Sequence, residues 1–243
     1  FIRSYVPEPQ PDANAIAEAA RMINECVKPF MLVGQGVELA DAQPELLALC
    51  EKAQIPFGTT FLGMSAAPTD HPLNMGRLGM HGNLGPNVMT NQCDLLIAVG
   101  MRFDDRVTGN LQTYAKQAKI IHFEIDPSEI NKNVKVNLAV LGNCKQTLAA
   151  VTEKVDAARH EQWIAGFKPY AEKEFNKVIE PALYPKDGPL LMGEVVRAVT
   201  EASNNEAILV TDVGQNQMFG CRYFKFTKPH SVVTSGGCGT SGS

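Results

Sequence analysis

The stretch Asp94-Leu95-Leu96-Ile97-Ala98-Val99-Gly100-Met101-Arg102-Phe103-Asp104-Asp105-Arg106-Val107-Thr108-Gly109 decides the architecture. Its apolar run, closed by an aspartate before it and a glycine after it, has the length of one strand and is too short for a buried helix. A strand wet on one face alternates apolar and polar side chains. An unbroken apolar run belongs to a strand covered on both faces, as in the parallel sheets of α/β proteins. The charged segment that follows then falls at the strand's carboxyl end, where open α/β sheets place their ligands.

The same pattern extends in both directions. Residues 30–33 are a short apolar run ending in Gly34-Gln35-Gly36, 45–53 read as a helix, and 55–60 as a second strand. Residues 87–92 read as a helix feeding the strand 94–99. Downstream, 119–125 is a strand closed by Asp126-Pro127-Ser128, 137–141 is a strand, and 145–158 is a helix. Strands alternating with helices predict a doubly wound parallel sheet over residues 13–158. Residues 1–12 are an extended linker, with Pro7, Pro9 and Pro11 disfavouring helix. Asp12 or Asn14 can cap the first helix, whose Ile16, Ala19, Ala20 and Ile23 share one face.

Residues 159–188 are polar, hold the single Trp163, and pass through Pro181 and Pro185 toward Pro189, a helical linker. A second unit, 189–243, then begins: helix 190–202, strand 207–212, turn and helix 214–222, strand 231–234 and a glycine-rich tail. It is too small for a complete α/β domain and is expected to be the first part of one. Phe1 is not an initiator Met, so the chain is expected to be a piece of a longer protein, its tail being either a cut end or an appended linker.

Composition narrows the function. Among 243 residues, 44% are apolar and 20% charged, enough to bury a core. A net charge of −4 offers no basic footprint for nucleic acid. No apolar run approaches the ~20 residues that span a bilayer. The six cysteines, Cys26, Cys50, Cys93, Cys144, Cys221 and Cys238, are widely and irregularly spaced. That argues against zinc and disulfide frameworks and for free thiols in a reducing, cytoplasmic compartment. No metal ligands are expected within this chain.

Candidate site residues lie at the strand ends. Gly34, Gly36, Gly100, Gly142 and Gly214 could let backbone approach a phosphate, or could simply end strands. Gly34-Gln35-Gly36 is not a full dinucleotide fingerprint, since the third glycine would fall at Leu39. Glu124 is either a ribose acceptor or a solvated carboxylate. The loop Gly76-Arg77-Leu78-Gly79-Met80-His81-Gly82 has the composition of a binding loop. In the charged segment, Arg102, Asp104, Asp105 and Arg106 are either a solvated salt-bridge cluster or a cradle for an anion, which Arg can hold bidentately.

Several of these segments carry a resemblance. Residues 102–109 (RFDDRVTG), 78–82 (LGMHG), 122–133 (HFEIDPSEINKN), 212–218 (DVGQNQM) and 235–240 (SGGCGT) resemble, in order, segments of the acetohydroxyacid (acetolactate) synthase catalytic subunits. The resemblance implies a Rossmann-like (DHS-like) middle domain that binds FAD, followed by the truncated start of a thiamine-diphosphate domain. It implies a transferase that condenses two 2-ketoacids, pyruvate or 2-ketobutyrate, with loss of carbon dioxide, in branched-chain amino-acid biosynthesis. Thiamine diphosphate anchored by Mg²⁺ would do the chemistry, and FAD would be required without net redox change.

Carried over, the FAD residues are Gly34, Gly36, Thr60, Phe61, Leu78, Gly79, Met80, His81, Gly100, Met101, Arg102, Asp104, Glu124, Ile125, Asn143 and Cys144. Arg106 matches the arginine of the substrate channel. Gln215, Asn216, Gly239, Thr240 and Ser241 would touch thiamine diphosphate. The chain departs from the family at Asn216 (usually His), Cys238 and Ser241 (usually Leu and Met) and Asn143 (usually Asp). The catalytic glutamate and the magnesium-binding segment of the family have no counterpart here; Lys186-Asp187-Gly188 precedes a proline in the linker and does not replace the latter. The chain alone is therefore expected to be inactive. The parent would be a homodimer or higher homo-oligomer, with a small regulatory subunit as a possible partner. The competing expectations are a fragment of another thiamine-dependent decarboxylase or carboligase, and a stand-alone nucleotide-binding module.

Overall fold

The computed structural model describes residues 7–236. Asp12 caps the first helix, its carboxylate accepting from the Asn14 amide at 2.9 Å, and α1 (Ala13–Glu25) follows with Ile16, Ala19, Ala20 and Ile23 buried. The chain continues through β1 (Pro29–Val33), α2 (Gln35–Leu39), α3 (Gln43–Ala53) and β2 (Phe57–Thr59). After a tight turn at Phe61–Gly63 come β3 (Asn74–Arg77), α4 (Leu84–Thr90) and β4 (Leu95–Val99). Then follow α5 (Asp105–Thr108), β5 (Lys119–Glu124), β6 (Leu138–Leu141) and α6 (Cys144–Lys154).

The six strands form one parallel sheet in the order β3-β2-β1-β4-β5-β6. Every residue of β1 and β4 is buried, as their unbroken apolar runs require. Met31, Val33, Ile97, Val99 and Ile121 face the cluster completed by α1, α3 and α6. Phe30, Leu32, Leu96, Ala98 and Ile120 face the opposite cluster, with Met89 of α4. The expected doubly wound sheet is therefore present. The strand order turns back between β1 and β4, which opens a crevice at their carboxyl ends.

The sequence reading missed one strand: β3 runs into the start of the glycine-rich segment 76–82, expected to be all loop. Asn-Met-Gly-Arg has neither apolar continuity nor alternation. It is made a strand by parallel pairing with β2, across a shift in register. The helix expected at 87–92 begins earlier, at Leu84, because the Glu174 carboxylate accepts from the Leu84 amide at 2.7 Å and caps it.

The segment 159–188 contains α7 (Glu161–Ala165), α8 (Lys168–Glu174), a π-helical turn (Phe175–Ile179) and α9 (Glu180–Leu183). Its first half packs on the sheet. Trp163 Nε1 donates to the Pro29 carbonyl at 2.7 Å, and Phe167 stacks on Phe30 with centroids 5.3 Å apart. The second unit comprises α10 (Met192–Ala202), β7 (Leu209–Thr211), α11 (Gln215–Tyr223) and β8 (Val232–Thr234), with β7 and β8 parallel.

It meets the first unit at an apolar seam of Met64, Cys221, Phe224 and Phe226. There the Thr69 amide donates to the Phe226 carbonyl at 2.8 Å, and the Phe226 amide to Thr69 Oγ1 at 2.9 Å. The buried Glu38 carboxylate adds to the join, accepting from Ser65 Oγ and, at 2.9 Å, from the His230 amide. Among the described residues no helix is long and apolar enough to cross a membrane. Cys26, Cys50, Cys93, Cys144 and Cys221 are free thiols.

Candidate functional site

The crevice between β1 and β4 is closed at its base by backbone. The Gly34 amide donates to the Val99 carbonyl at 2.9 Å and the Gly36 amide to the Gly100 carbonyl at 3.0 Å. A Cβ on Gly34 would lie 2.1 Å from the Gly100 carbonyl oxygen, and one on Gly36 would lie 2.7 Å from Gly100 Cα. Gly100 itself has φ +57°. These glycines are therefore demanded first by the contact of two strand ends. That contact also leaves the first turn of α2 facing the space above the sheet.

Two loops form one side of that space. Asn83 Oδ1 accepts from the Arg77 amide at 2.8 Å, and the Asn83 amide donates to the Arg77 carbonyl at 2.8 Å, closing loop 77–83. Asn87 grips Gly79 from both sides, its Oδ1 accepting from the Gly79 amide and its Nδ2 donating to the Gly79 carbonyl, both at 2.9 Å. The Met80 amide donates to the Arg106 carbonyl at 2.8 Å and ties this loop to the charged segment. Gly79 has φ +91°, and a Cβ there would meet the Arg106 carbonyl oxygen at 2.6 Å.

The charged segment is neither buried nor internally paired. The Asp104 carboxylate caps α5 by accepting from the Arg106 amide at 3.0 Å. Arg102, Asp105 and Arg106 are exposed. Among the described residues none of the four forms an ion pair within the segment. The expected salt-bridge alternative is therefore absent, and two guanidinium groups stand free at the rim. The segment is anchored by Phe103, a buried non-glycine residue at φ +52° that meets His122 edge-on at 5.1 Å.

At the far side, β5 delivers Glu124. Its Oε1 accepts from the Ile125 and Asp126 amides at 2.9 and 3.1 Å. Its Oε2 lies 3.6 Å from Nε2 of the buried His122, which donates to the Met101 carbonyl at 2.8 Å. Glu124 is thus a fixed, buried acceptor at a strand end rather than a solvated one. Asn143 Oδ1 accepts from the Lys145 amide at 2.9 Å and caps α6. Burial pushes the neighbouring Cys144 thiol up to about 12, so it is a neutral wall and no nucleophile.

These pieces enclose a cavity of about 1020 Å³, at the upper end of small-molecule sites and large enough for an extended ligand. Of the residues expected at an FAD site, Gly36, Thr60, Phe61, Leu78, Met80, His81, Gly100, Met101, Arg102, Asp104, Glu124, Ile125, Asn143 and Cys144 line it. Arg106 lines it too. Gly34 and Gly79 do not; both shape the wall from behind.

Of the thiamine set, Gln215 and Asn216 are exposed and lie off the cavity wall, while Gly239, Thr240 and Ser241, with Cys238, lie outside the described residues. Among the described residues no group of three His, Cys, Asp or Glu side chains is placed to hold a metal ion.

The wall also holds residues that sequence reasoning missed. Gln35 and Leu39 come from α2 and Ala40 from its C-cap, Leu62 from the turn after β2, and Gln217, Ser235 and Gly236 from the second unit. Gln217 is set by Thr234, whose Oγ1 accepts from its Nε2 at 2.8 Å. Arg77 also lines the wall. It is buried, and burial pulls its guanidinium down to about 10, which leaves it charged at neutral pH. Its place in a glycine-rich loop was the available signal.

Residues 16–151 match the sequence profile described as thiamine pyrophosphate enzyme, central domain. The chain is 38% identical over 98% of its length to a protein of Methanocaldococcus jannaschii named as a probable acetolactate synthase large subunit. It is 40% and 38% identical, again over 98% of its length, to the acetolactate synthase large subunits of Parasynechococcus marenigrum and Corynebacterium glutamicum. The match covers 41%, 38% and 38% of those three proteins, so the chain spans about two fifths of their length.

Proposed function

Because the chain belongs to the thiamine pyrophosphate enzymes and carries their central domain, we propose that its large cavity holds FAD within an acetolactate synthase large subunit. The observation that carries this reading is the cavity wall, which collects the expected flavin residues from six separate chain segments around one space of about 1020 Å³. The donor set fits the group. Arg102 is an unpaired cation suited to a diphosphate, and the buried Glu124 keeps Oε2 for ribose hydroxyls. Exposed Leu39, Met80 and Ile125 offer apolar cover for flat rings.

On this reading the parent protein condenses two 2-ketoacids, pyruvate or 2-ketobutyrate, with decarboxylation. Thiamine diphosphate, anchored through Mg²⁺, supplies the carbon nucleophile when bound. Gln215, Asn216, Gly239, Thr240 and Ser241 are proposed to lie against it, the first two being exposed and off the flavin cavity wall. Arg106, at the mouth, would hold a substrate carboxylate. The proposed setting is cytoplasmic, in a homodimer or higher homo-oligomer with a small regulatory subunit. We assign residues 13–158 to the flavin domain, 159–188 to the connector and 189–243 to the thiamine domain.

The test is a titration of the purified chain with FAD, followed by flavin fluorescence and calorimetry. We expect saturable one-to-one binding. Arg102→Ala should weaken it roughly three- to ten-fold, the value of a charge-assisted contact discounted for exposure. Preference for ADP or NAD over FAD would overturn the flavin reading.

A further inference from the structure

A second, smaller pocket of about 60 Å³ lies where the two units meet, between β3, the loop before α4 and the end of α11. It shares one lining residue, Arg77, with the large cavity and does not rest on what that cavity holds. Two arginines line it, Arg77 from the first unit and Arg222 from the second. Both carry buried donors with no partner: Nη2 of Arg77 and Nε of Arg222. Arg77 as a whole is only 8% exposed.

Three side-chain acceptors on the wall already take backbone amides. Asn83 Oδ1 accepts from the Arg77 amide, Asn74 Oδ1 from the Gly76 amide, and Thr69 Oγ1 from the Phe226 amide. Arg77 Nη1 reaches only the Met64 sulfur, at 3.4 Å, a weak acceptor. The one nearby carboxylate, Glu174, pairs with Arg222 Nη2 and also accepts from Asn83 Nδ2 at 3.2 Å and the Leu84 amide at 2.7 Å.

The charge balance is therefore incomplete: two guanidinium groups face one carboxylate. The other acidic candidate on the wall is the Cys221 thiol, but burial pushes it up to about 11 and leaves it neutral at pH 7. A buried cation without a counter-charge is costly, by several kcal/mol per ion in real interiors. Water could satisfy the two N–H groups but not the charge. A pocket of this volume exceeds the ~10–15 Å³ that one water needs.

We propose that this pocket is a site for one small inorganic anion, of halide size, held between Arg77 Nη2 and Arg222 Nε. Such an ion makes the fourth member of an Arg77–Arg222–Glu174 cluster and joins the second unit to the first. It binds the docked arrangement and not the unfolded chain, so it stabilises that arrangement by mass action.

The experiment compares melting of the chain in sodium chloride, bromide and gluconate at constant ionic strength, for the native sequence and for Arg77→Met. Chloride and bromide are expected to raise Tm saturably over gluconate, by roughly 2–4 °C at about five times Kd. Arg77→Met should show no such difference. Crystals grown with bromide should show an anomalous peak between the two guanidinium groups, a result that stands even if the variant does not fold. Equal halide responses in both proteins, a pocket holding water alone, or a bromide peak without any saturable shift in solution would each overturn the proposal.

Discussion

The two parallel sheets of this molecule are built from similar residues and end in opposite states. β1 and β4 are covered on both faces at every position. β7 and β8, also rich in Val, Leu and Thr, leave Val210 63% and Val233 55% exposed, with Ile208 beside them. The difference is not in the strands. Helices cover both faces of the first sheet, whereas α10 and α11 cover one face of the second, and a two-stranded sheet is marginal by itself. An apolar strand thus states a demand for cover, and only the rest of the fold meets it. The second unit is held by its seam: Phe224 and Phe226 against Met64, the paired Thr69–Phe226 hydrogen bonds, and Glu174 with Arg222.

The comparison breaks most visibly under truncation of one side chain from each sheet. Ile97→Ala removes a fully buried group from the central strand and should cost about 2–5 kcal/mol in urea unfolding. Val210→Ala, on the open face of β7, should stay within about 0.5 kcal/mol. Equal losses would mean that the exposed face of the second sheet is covered in solution, and the contrast would disappear.

The same contrast governs what could be read from sequence. β1, β4 and β5 were legible because burial on both faces leaves an apolar run. β3 was not, since Asn74, Met75, Gly76 and Arg77 become a strand only by pairing with β2. At the site, the strand-end positions from Gly100 to Asp104, with Glu124, were legible, because strand ends point their backbone outward. Arg77 was visible only as one charged residue in a loop; its burial comes from the second unit closing over it. Within the motif at 212–218, Gln217 turns to the cavity, and Gln215, about 200° away around the helix, does not. Gly34 and Gly79 carried the right signal for another reason, since both are required by backbone packing behind the wall.

The finest distinction between the two regions lies in their thiols. Burial raises Cys26, Cys93 and Cys144 of the first unit to about 12, but Cys221, at the seam, only to about 11, from an ordinary value of 9.0. Because each folded value lies above the unfolded one, the stability these groups contribute is complete below pH ~9. It is lost as the pH rises, through about 11 for Cys221 and about 12 for the others. The nearby Arg77 guanidinium lowers Cys221 against that burial, whereas Asp94 and Glu124 raise Cys93 and Cys144 further. One pKa unit is about 1.4 kcal/mol, or about tenfold in thiolate at a given pH. Alkylation with iodoacetamide at pH 9–10, followed by peptide mass spectrometry, should therefore modify Cys221 roughly tenfold faster than Cys93 or Cys144. Arg77→Met should narrow that gap by removing the neighbouring positive charge. Modification of Cys93 ahead of Cys221 would reverse the ranking of the two units, since the thiol nearest the open sheet would then be the better protected one.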